Sequence, residues 1–131
     1  MRNGLAWLFA AVPGRSPEQA RKAMALAERA VELDPDNGNI WSTLALARYR
    51  VGDWPGASSA IERSMRLRGG GHANDWVILA MIRWRQGNRT EARRWYDQAS
   101  TQNKRQGRSD DDLRRLRDEA SALLGTSPTQ P

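Results

Sequence analysis

The 131-residue chain contains few of the side chains that usually carry enzyme chemistry. It has no cysteine and only one histidine, His72. Disulfides, thiolate nucleophiles, cysteine-ligated metals and multi-histidine metal sites are therefore excluded. His72 follows three glycines and has Asp75 as its only nearby carboxylate, so we expect an exposed loop histidine rather than a metal ligand. Neither a metal nor another cofactor is expected.

Three short motifs look like functional sites but fit them poorly. The glycines at 69–71 lack the G-x-G-x-x-G spacing and the preceding strand of a phosphate-binding loop, so an inter-repeat turn is favoured. The aspartates at 110–112 would fan out by about 100° per residue on a helix. They suit a helix N-terminus better than a metal site or a general base. Asp34 and Asp36 lack the distal glutamate of a calcium loop. No catalytic site is predicted.

Basic side chains are concentrated in one part of the chain. The formal net charge is +6, and the window 83–108 alone sums to this value. Its basic residues are Arg83, Arg85, Arg89, Arg93, Arg94, Lys104, Arg105 and Arg108. Clustered arginines with Trp95 nearby are a pattern found in nucleic-acid-binding proteins. Glu91 and Asp97 interrupt the cluster, however, so a solvated face or a surface for an acidic protein partner is favoured over nucleic acid.

The remaining sequence has the apolar spacing of helices. We predict seven helices, at about 2–12, 17–34, 38–51, 54–67, 73–86, 89–104 and 109–124, and a flexible tail at 126–131. Gly52-Asp53 and Gly87-Asn88 predict tight turns, because glycine can end one helix and Asp or Asn can cap the next. The longest apolar run, residues 5–12, is shorter than the about 20 residues that cross a bilayer. We therefore expect a cytoplasmic protein with no membrane span.

The chain repeats itself at a spacing of 35 residues. The matched pairs are Trp41 and Trp76, Leu44 and Leu79, Ala45 and Ala80, Arg48 and Arg83, Arg50 and Arg85, Gly52 and Gly87, and Ala57 and Ala92. A weaker copy precedes them, but the two prolines within residues 13–17 interrupt its first helix. Each unit therefore predicts a helix, a two-residue turn and a second helix.

Tryptophan is unusually frequent, with six residues in this short chain. Five of them are predicted to pack in the core or between repeats: Trp7, Trp41, Trp54, Trp76 and Trp95. The sixth, Trp84, falls at the repeat position of Tyr49 and is the candidate for a binding role.

These units resemble the tetratricopeptide repeat, whose signature runs W-x2-L-G-x2-Y…A-x3-F…P. The second unit carries the resemblance in Trp41, Leu44, Ala45, Gly52, Asp53, Trp54, Ala57 and Ile61. The third carries it in Trp76, Leu79, Ala80, Gly87, Ala92, Tyr96 and Ala99. Phrases such as Gly38-Asn39-Ile40-Trp41 are similar to tetratricopeptide modules of planctomycete-type bacteria. The chain departs from the family where Arg48 and Arg83 replace its tyrosine.

The resemblance implies an all-α, right-handed solenoid of about three helix-turn-helix units in one domain, residues 1–125. The units would span 3–37, 38–72 and 73–106, with a capping helix at 109–125. The family binds its ligands in a concave groove lined by the first helix of each unit. The matching groove positions here are Asn39, Ser42, Leu46, Tyr49, Arg50, Asn74, Val77, Met81, Trp84 and Arg85. They suit a peptide with apolar side chains and carboxylates, or they simply complete the packing.

The sequence thus predicts a non-catalytic scaffold for protein–protein interaction. Two alternatives stay open. One is an assembly module that docks on another chain or domain through the degenerate N-terminal unit. The other is a basic helical protein that binds RNA or DNA, whose affinity would fall steeply with salt.

Overall fold

The computed structural model describes residues 17–106 and 111–125, and it contains helices and turns but no strand in these ranges. The helices are α1 (Pro17–Leu33), α2 (Gly38–Arg50), α3 (Trp54–Leu67), α4 (Ala73–Arg85), α5 (Arg89–Gln106) and α6 (Asp111–Leu124). The predicted all-α class is confirmed, and these helices begin and end within a few residues of the predicted bounds. The helix predicted at about 2–12, the start of the last helix at 109–110 and the tail at 126–131 lie outside the described residues.

The chain divides into two compact units, the first ending at Gly71 and the second beginning at His72. In the first unit, α2 packs against α1 and α3. In the second, α4 packs against α5 and α6, and α5 also contacts α6. The boundary follows the three glycines that were predicted to separate two repeats. No helix among the described residues is long and apolar enough to cross a lipid bilayer.

The core of the first unit surrounds α2, which buries side chains on all sides, from Ile40 through Tyr49. Helix α1 contributes a stripe of small residues at helical spacing, namely Ala20, Ala23, Ala27, Ala30 and Val31. Helix α3 contributes Ala57, Ala60 and Ile61. A helix that is apolar all round needs cover on more than one side. The small side chains of α1 and α3 let these two helices approach α2 closely and cover it.

The second unit is built in the same way around α4, whose residues from Asp75 to Ile82 are all buried. Helix α5 contributes Ala92 and Ala99 to this core. Helix α6 adds the stripe Leu116, Ala120, Ser121 and Leu124, while Arg114 and Arg115 on the same helix are exposed. Leu123 is half-buried, and the side chain of Leu113 lies outside the described residues. Helix α6 therefore presents one apolar face to α4 and α5.

A glycine turn joins the two helices of the hairpin in the first unit. Gly52 has a φ of +86°, and the backbone N–H of Asp53 donates to Arg48 O at 2.9 Å. This is the hydrogen bond of a Schellman motif, which ends a helix on a left-handed residue. Asp53 then caps α3, because its Oδ1 accepts a hydrogen bond from Gly56 N at 3.0 Å.

The hairpin in the second unit turns with the same geometry 35 residues later. Gly87 has a φ of +88°, and Asn88 N–H donates to Arg83 O at 2.9 Å. The Oδ1 atom of Asn88 accepts from Glu91 N at 3.3 Å at the start of α5. Both predicted two-residue turns are present, and their shared geometry places the end of α4 beside the first turns of α5.

The start of α2 lies very close to the end of α3. A Cβ atom at Gly38 would come within 2.9 Å of Arg68 Cγ and 3.2 Å of Ser64 O. The contact is polar as well as tight, because Ser64 Oγ donates to Gly38 O at 2.8 Å and Arg68 Nη2 donates to Asn39 Oδ1 at 3.0 Å. Glycine at position 38 is therefore required by packing rather than by its dihedral angles.

Candidate functional site

The ten residues predicted to line a groove divide into buried and accessible side chains. The buried ones are Ser42, Leu46, Tyr49, Val77 and Met81. The exposed or half-buried ones are Asn39, Arg50, Asn74, Trp84 and Arg85. Unless the helices rearrange, a partner can touch only the second set. The accessible side chains are polar, aromatic or cationic. The buried aliphatic side chains of the set complete the cores around α2 and α4.

Trp84 is the half-buried aromatic side chain near the end of α4. The guanidinium carbon of Arg89 lies 4.8 Å from its ring centroid, and that of Arg93 lies 5.7 Å away. Arg93 also donates from Nη2 to Leu124 O at 2.9 Å, which ties it to the end of α6. Arginines this close to an indole ring form favourable cation–π contacts. We call these three residues the Trp84 cluster.

Tyr49, which stands at the same repeat position as Trp84, has a different environment. Its side chain is only 4% exposed, and its ring centroid lies 5.3 Å from that of Trp54 at an interplanar angle of 50°. Trp54 is the residue that Arg89 replaces 35 positions later. Arg50 also lies over the Tyr49 ring, 5.7 Å from its centroid. The aromatic pair nevertheless buries this position in the first unit, whereas Trp84 has two arginines and no aromatic partner among the described residues and stays half-buried.

The basic window contains one strong internal ion pair. Arg83 Nε lies 2.5 Å from Glu91 Oε2, and Arg83 Nη1 donates to Gln86 Oε1 at 2.7 Å. The ion pair neutralises Arg83 and uses Glu91, one of the two acidic residues that interrupt the cluster. The exposed arginines in the described part of this window are Arg85, Arg89, Arg93 and Arg94.

A shallow cleft of about 300 Å³ lies along another face of α5. Its lining includes Glu91, Arg94, Trp95 and Gln98, which are spaced so that they share one side of the helix. Trp95 is half-buried and forms the apolar part of this cleft. The ion pair to Arg83 already engages Glu91, so the cleft offers an indole surface beside one exposed guanidinium.

The other sequence motifs have structural explanations. Gly69 has a φ of +65° and Gly70 N–H donates to Met65 O at 2.8 Å, so the glycine run ends α3 in a Schellman turn. His72 is exposed at the cap of α4, and its backbone N–H donates to the buried Asp75 Oδ2 at 2.9 Å. Within the described ranges, no group of three or more His, Asp or Glu side chains is arranged to hold a metal ion.

In the sequence, Arg89 and Arg93 are part of the basic window, and the pattern does not link either of them to Trp84. Their contact with Trp84 requires the tight turn between α4 and α5. This turn brings Trp84 close to Arg89 and Arg93, which follow it by five and nine positions. The Gly87-Asn88 signal predicts that turn, so the proximity could have been inferred. That the arginines contact Trp84 rather than Trp95 could not have been inferred, because Trp95 is nearer to Arg93 in sequence.

No family model matches the chain, and none of the curated proteins matches it with significant similarity.

Proposed function

We propose that the protein is a non-catalytic scaffold of the tetratricopeptide type that binds a segment of a partner protein. In this proposal the helical hairpins stack as a right-handed solenoid, with α6 as its cap. The equivalent turns after α2 and α4 support a repeat architecture, because the same glycine geometry and the same hydrogen bonds recur at a spacing of 35 residues. Residues 3–16 of the degenerate N-terminal unit, which would carry the alternative docking role, lie outside the described residues, and its second helix is α1.

The observation that carries the binding role is the accessibility of Trp84. An indole ring that is only half-buried supplies a large rigid contact area, and tryptophan is enriched among the residues that dominate binding energy at interfaces. Arg85, Arg89 and Arg93 surround it in sequence or in space. A partner segment that fits this surface carries apolar side chains for the ring and carboxylates for the guanidinium groups.

Binding of a synthetic peptide that alternates glutamate and leucine tests this function. Isothermal titration calorimetry with the whole chain should show weaker binding for Trp84→Ala by about 30-fold, which corresponds to about 2 kcal/mol for a hot-spot residue. Arg85→Glu should also weaken binding and shift the preference toward a peptide in which lysine replaces glutamate. Arg63→Glu, an exposed arginine of α3, is the matched charge control and should change the affinity little.

Two results would contradict the proposal. If Trp84→Ala unfolds the protein in circular dichroism, the residue is a core residue and not a contact surface. If a single-stranded RNA binds more tightly than the peptide, with an affinity that falls steeply as salt increases, the basic window serves nucleic acid instead.

A further inference from the structure

The Trp84 cluster holds two cations in a small area. Arg89 and Arg93 are one turn apart on α5, so their Cβ atoms are about 6 Å apart, and both guanidinium groups approach the same indole ring. Like charges on neighbouring turns repel each other, which costs a few tenths of a kcal/mol in an isolated helix. The ring offsets this repulsion and limits the rotamers that each arginine can adopt. The pair is therefore preorganised before any ligand arrives.

The two cations have no anionic partner in the part of the chain that the structure describes. Neither Arg89 nor Arg93 lies within ion-pair distance of a carboxylate there. Glu91, which lies between them in sequence, is bound to Arg83, and Asp97, one turn after Arg93, is exposed and unpaired with it. The polar contact of Arg93 is with the carbonyl of Leu124, which uses one of its five N–H donors. Both side chains keep donors available for a ligand.

The number of donors indicates which anion fits. One arginine fork satisfies a carboxylate, which carries a single charge on two oxygens. A phosphomonoester carries a charge of about −1.5 to −2 and three acceptor oxygens, so it can engage two forks together. A nucleic-acid strand would also need an open aromatic face on which a base can stack. A base would have to displace Arg89, which already lies over the ring of Trp84, whereas an apolar side chain needs only part of the half-buried ring.

We propose that Trp84, Arg89 and Arg93 form a binding site for a phosphomonoester carried by a partner peptide, such as a phosphorylated serine. In this site the two guanidinium groups donate hydrogen bonds to the phosphoryl oxygens, while the indole ring orients the two arginines. The inference depends on the proposed scaffold role in one respect, namely that a partner peptide carries the phosphate. It adds a condition to binding, because phosphorylation of the partner would strengthen its attachment.

Three probes test the chemistry of the site in phosphate-free buffer. They are the glutamate–leucine peptide with one phosphoserine, the same peptide with unmodified serine, and inorganic phosphate alone. Isothermal titration calorimetry should give an affinity at least 10-fold higher for the phosphopeptide than for the serine peptide, and inorganic phosphate should bind more weakly than the phosphopeptide. Equal affinities for the two peptides would overturn the proposal. Inorganic phosphate binding as tightly as the phosphopeptide would assign the site to the free ion and overturn the peptide as its source.

Substitutions test which residues are responsible. Arg89→Gln should reduce the preference for the phosphopeptide at least fivefold, and the double variant with Arg93→Gln should remove it. Trp84→Leu keeps both charges but removes the ring, so it should lower the preference as well. The matched control is Arg63→Gln, because Arg63 lies alone on a tryptophan ring, 5.7 Å from the centroid of Trp41. A preference that persists in Arg89→Gln, or that disappears equally in Arg63→Gln, would overturn the assignment.

The same titrations separate this inference from the scaffold proposal. Affinity for the unmodified peptide, through Trp84 and Arg85, tests the scaffold proposal. Trp84 variants should change both this affinity and the gain on phosphorylation, so Arg89→Gln, which should change mainly the gain, separates the two proposals. Arg93→Gln also removes the hydrogen bond to Leu124 O and can destabilise α6. If circular dichroism shows that the double variant has lost helix, the result for Arg89→Gln alone tests the inference. A single-stranded RNA that displaces the phosphopeptide and binds more tightly through the same arginines would overturn the peptide assignment.

Discussion

Arg83 Nε lies 2.5 Å from Glu91 Oε2, and this ion pair joins the two helices of the hairpin in the second unit. The equivalent contact in the first unit runs from Arg48 Nη1 to the backbone oxygen of Gly56, at 3.2 Å. The tetratricopeptide signature has a tyrosine at the position of both arginines. In this chain a charged side chain therefore makes a polar bond across the turn at the position where the signature has an aromatic ring.

Replacing Arg83 by methionine should destabilise the second unit. The side chains of Arg83 and Glu91 are only 17% and 30% exposed, so the loss of the cation leaves a partly buried carboxylate without its main partner. We expect the free energy of unfolding to fall by about 1–2 kcal/mol, near the lower end of the range of about 1.5–3 kcal/mol for hydrogen bonds to charged groups, because both side chains are partly exposed. Urea denaturation followed by circular dichroism measures the change. Arg94→Met, at an exposed arginine of α5, is the control and should cost less than about 0.5 kcal/mol; equal losses in both variants would contradict the prediction.

Alanine at either hairpin glycine should destabilise the protein by about 1–2 kcal/mol through backbone strain alone. Gly52 and Gly87 have φ near +87° in both turns, and a Cβ atom at either position would have no atom within 4 Å. The cost therefore arises from the left-handed conformation and should be similar for Gly52→Ala and Gly87→Ala in thermal melts. Asparagine at each position should cost less, because it tolerates this region better. A neutral alanine variant at either turn would show that the two turns are not equivalent in solution.

Gly38→Ala should lower stability by about 1 kcal/mol or more, even though alanine is favoured over glycine inside helices by about 1 kcal/mol. The new methyl group would overlap the Arg68 side chain and press on Ser64 O. It should also disturb the hydrogen bond between Arg68 and Asn39. A double-mutant cycle with Arg68→Ala measures this coupling, and the second substitution should recover part of the loss. Strictly additive effects, or a gain in stability from Gly38→Ala, would refute the close approach of α2 and α3.

Loss of the apolar face of α6 should destabilise the second unit strongly. Leu116 and Leu124 are almost fully buried, and Leu116→Ala should cost about 2–5 kcal/mol of unfolding free energy because it leaves a cavity. Removal of residues 109–131 should lower the melting temperature further or cause aggregation. Arg115→Ala, at an exposed position on the same helix, is the control and should change the melting temperature little. Unchanged melting of the truncated chain would mean that α6 does not cover the apolar surface of α4 and α5.

The sequence predicts the helix bounds well because the signals that end a helix are local. Gly52 and Gly87 end α2 and α4 in the left-handed conformation, and Asp53 and Asn88 cap the helices that follow. The repeat spacing also predicts that the two hairpins are alike, since identical turn residues select the same hydrogen bonds. All of these features depend on contacts within about five residues.

The assignment of faces was harder to predict, because α2 and α4 are apolar on all sides and their sequences indicate no preferred direction. Ser42, Leu46, Val77 and Met81 share groove positions by resemblance, yet they are buried. In contrast, the stripes on α1 and α6 have clear helical spacing, and most of the residues on them are buried, namely Ala23, Ala27 and Ala30 on α1 and Leu116, Ala120 and Leu124 on α6. Periodicity identifies a buried face only where a polar face opposes it.

By itself, the sequence determined that the chain is helical, where its described helices begin and end, and that it has no cysteine and a single histidine, because these properties follow from composition and from local capping. Only the tertiary structure decided that Tyr49 is buried and that Trp84 is partly exposed. The two aromatic residues occupy one repeat position, but Trp54 packs on the first and buries it, whereas Arg89 and Arg93 lie over the second and leave it partly exposed. Exposure at a repeat position depends on which side chain the neighbouring helix brings to it, and that partner is chosen by packing across the turn.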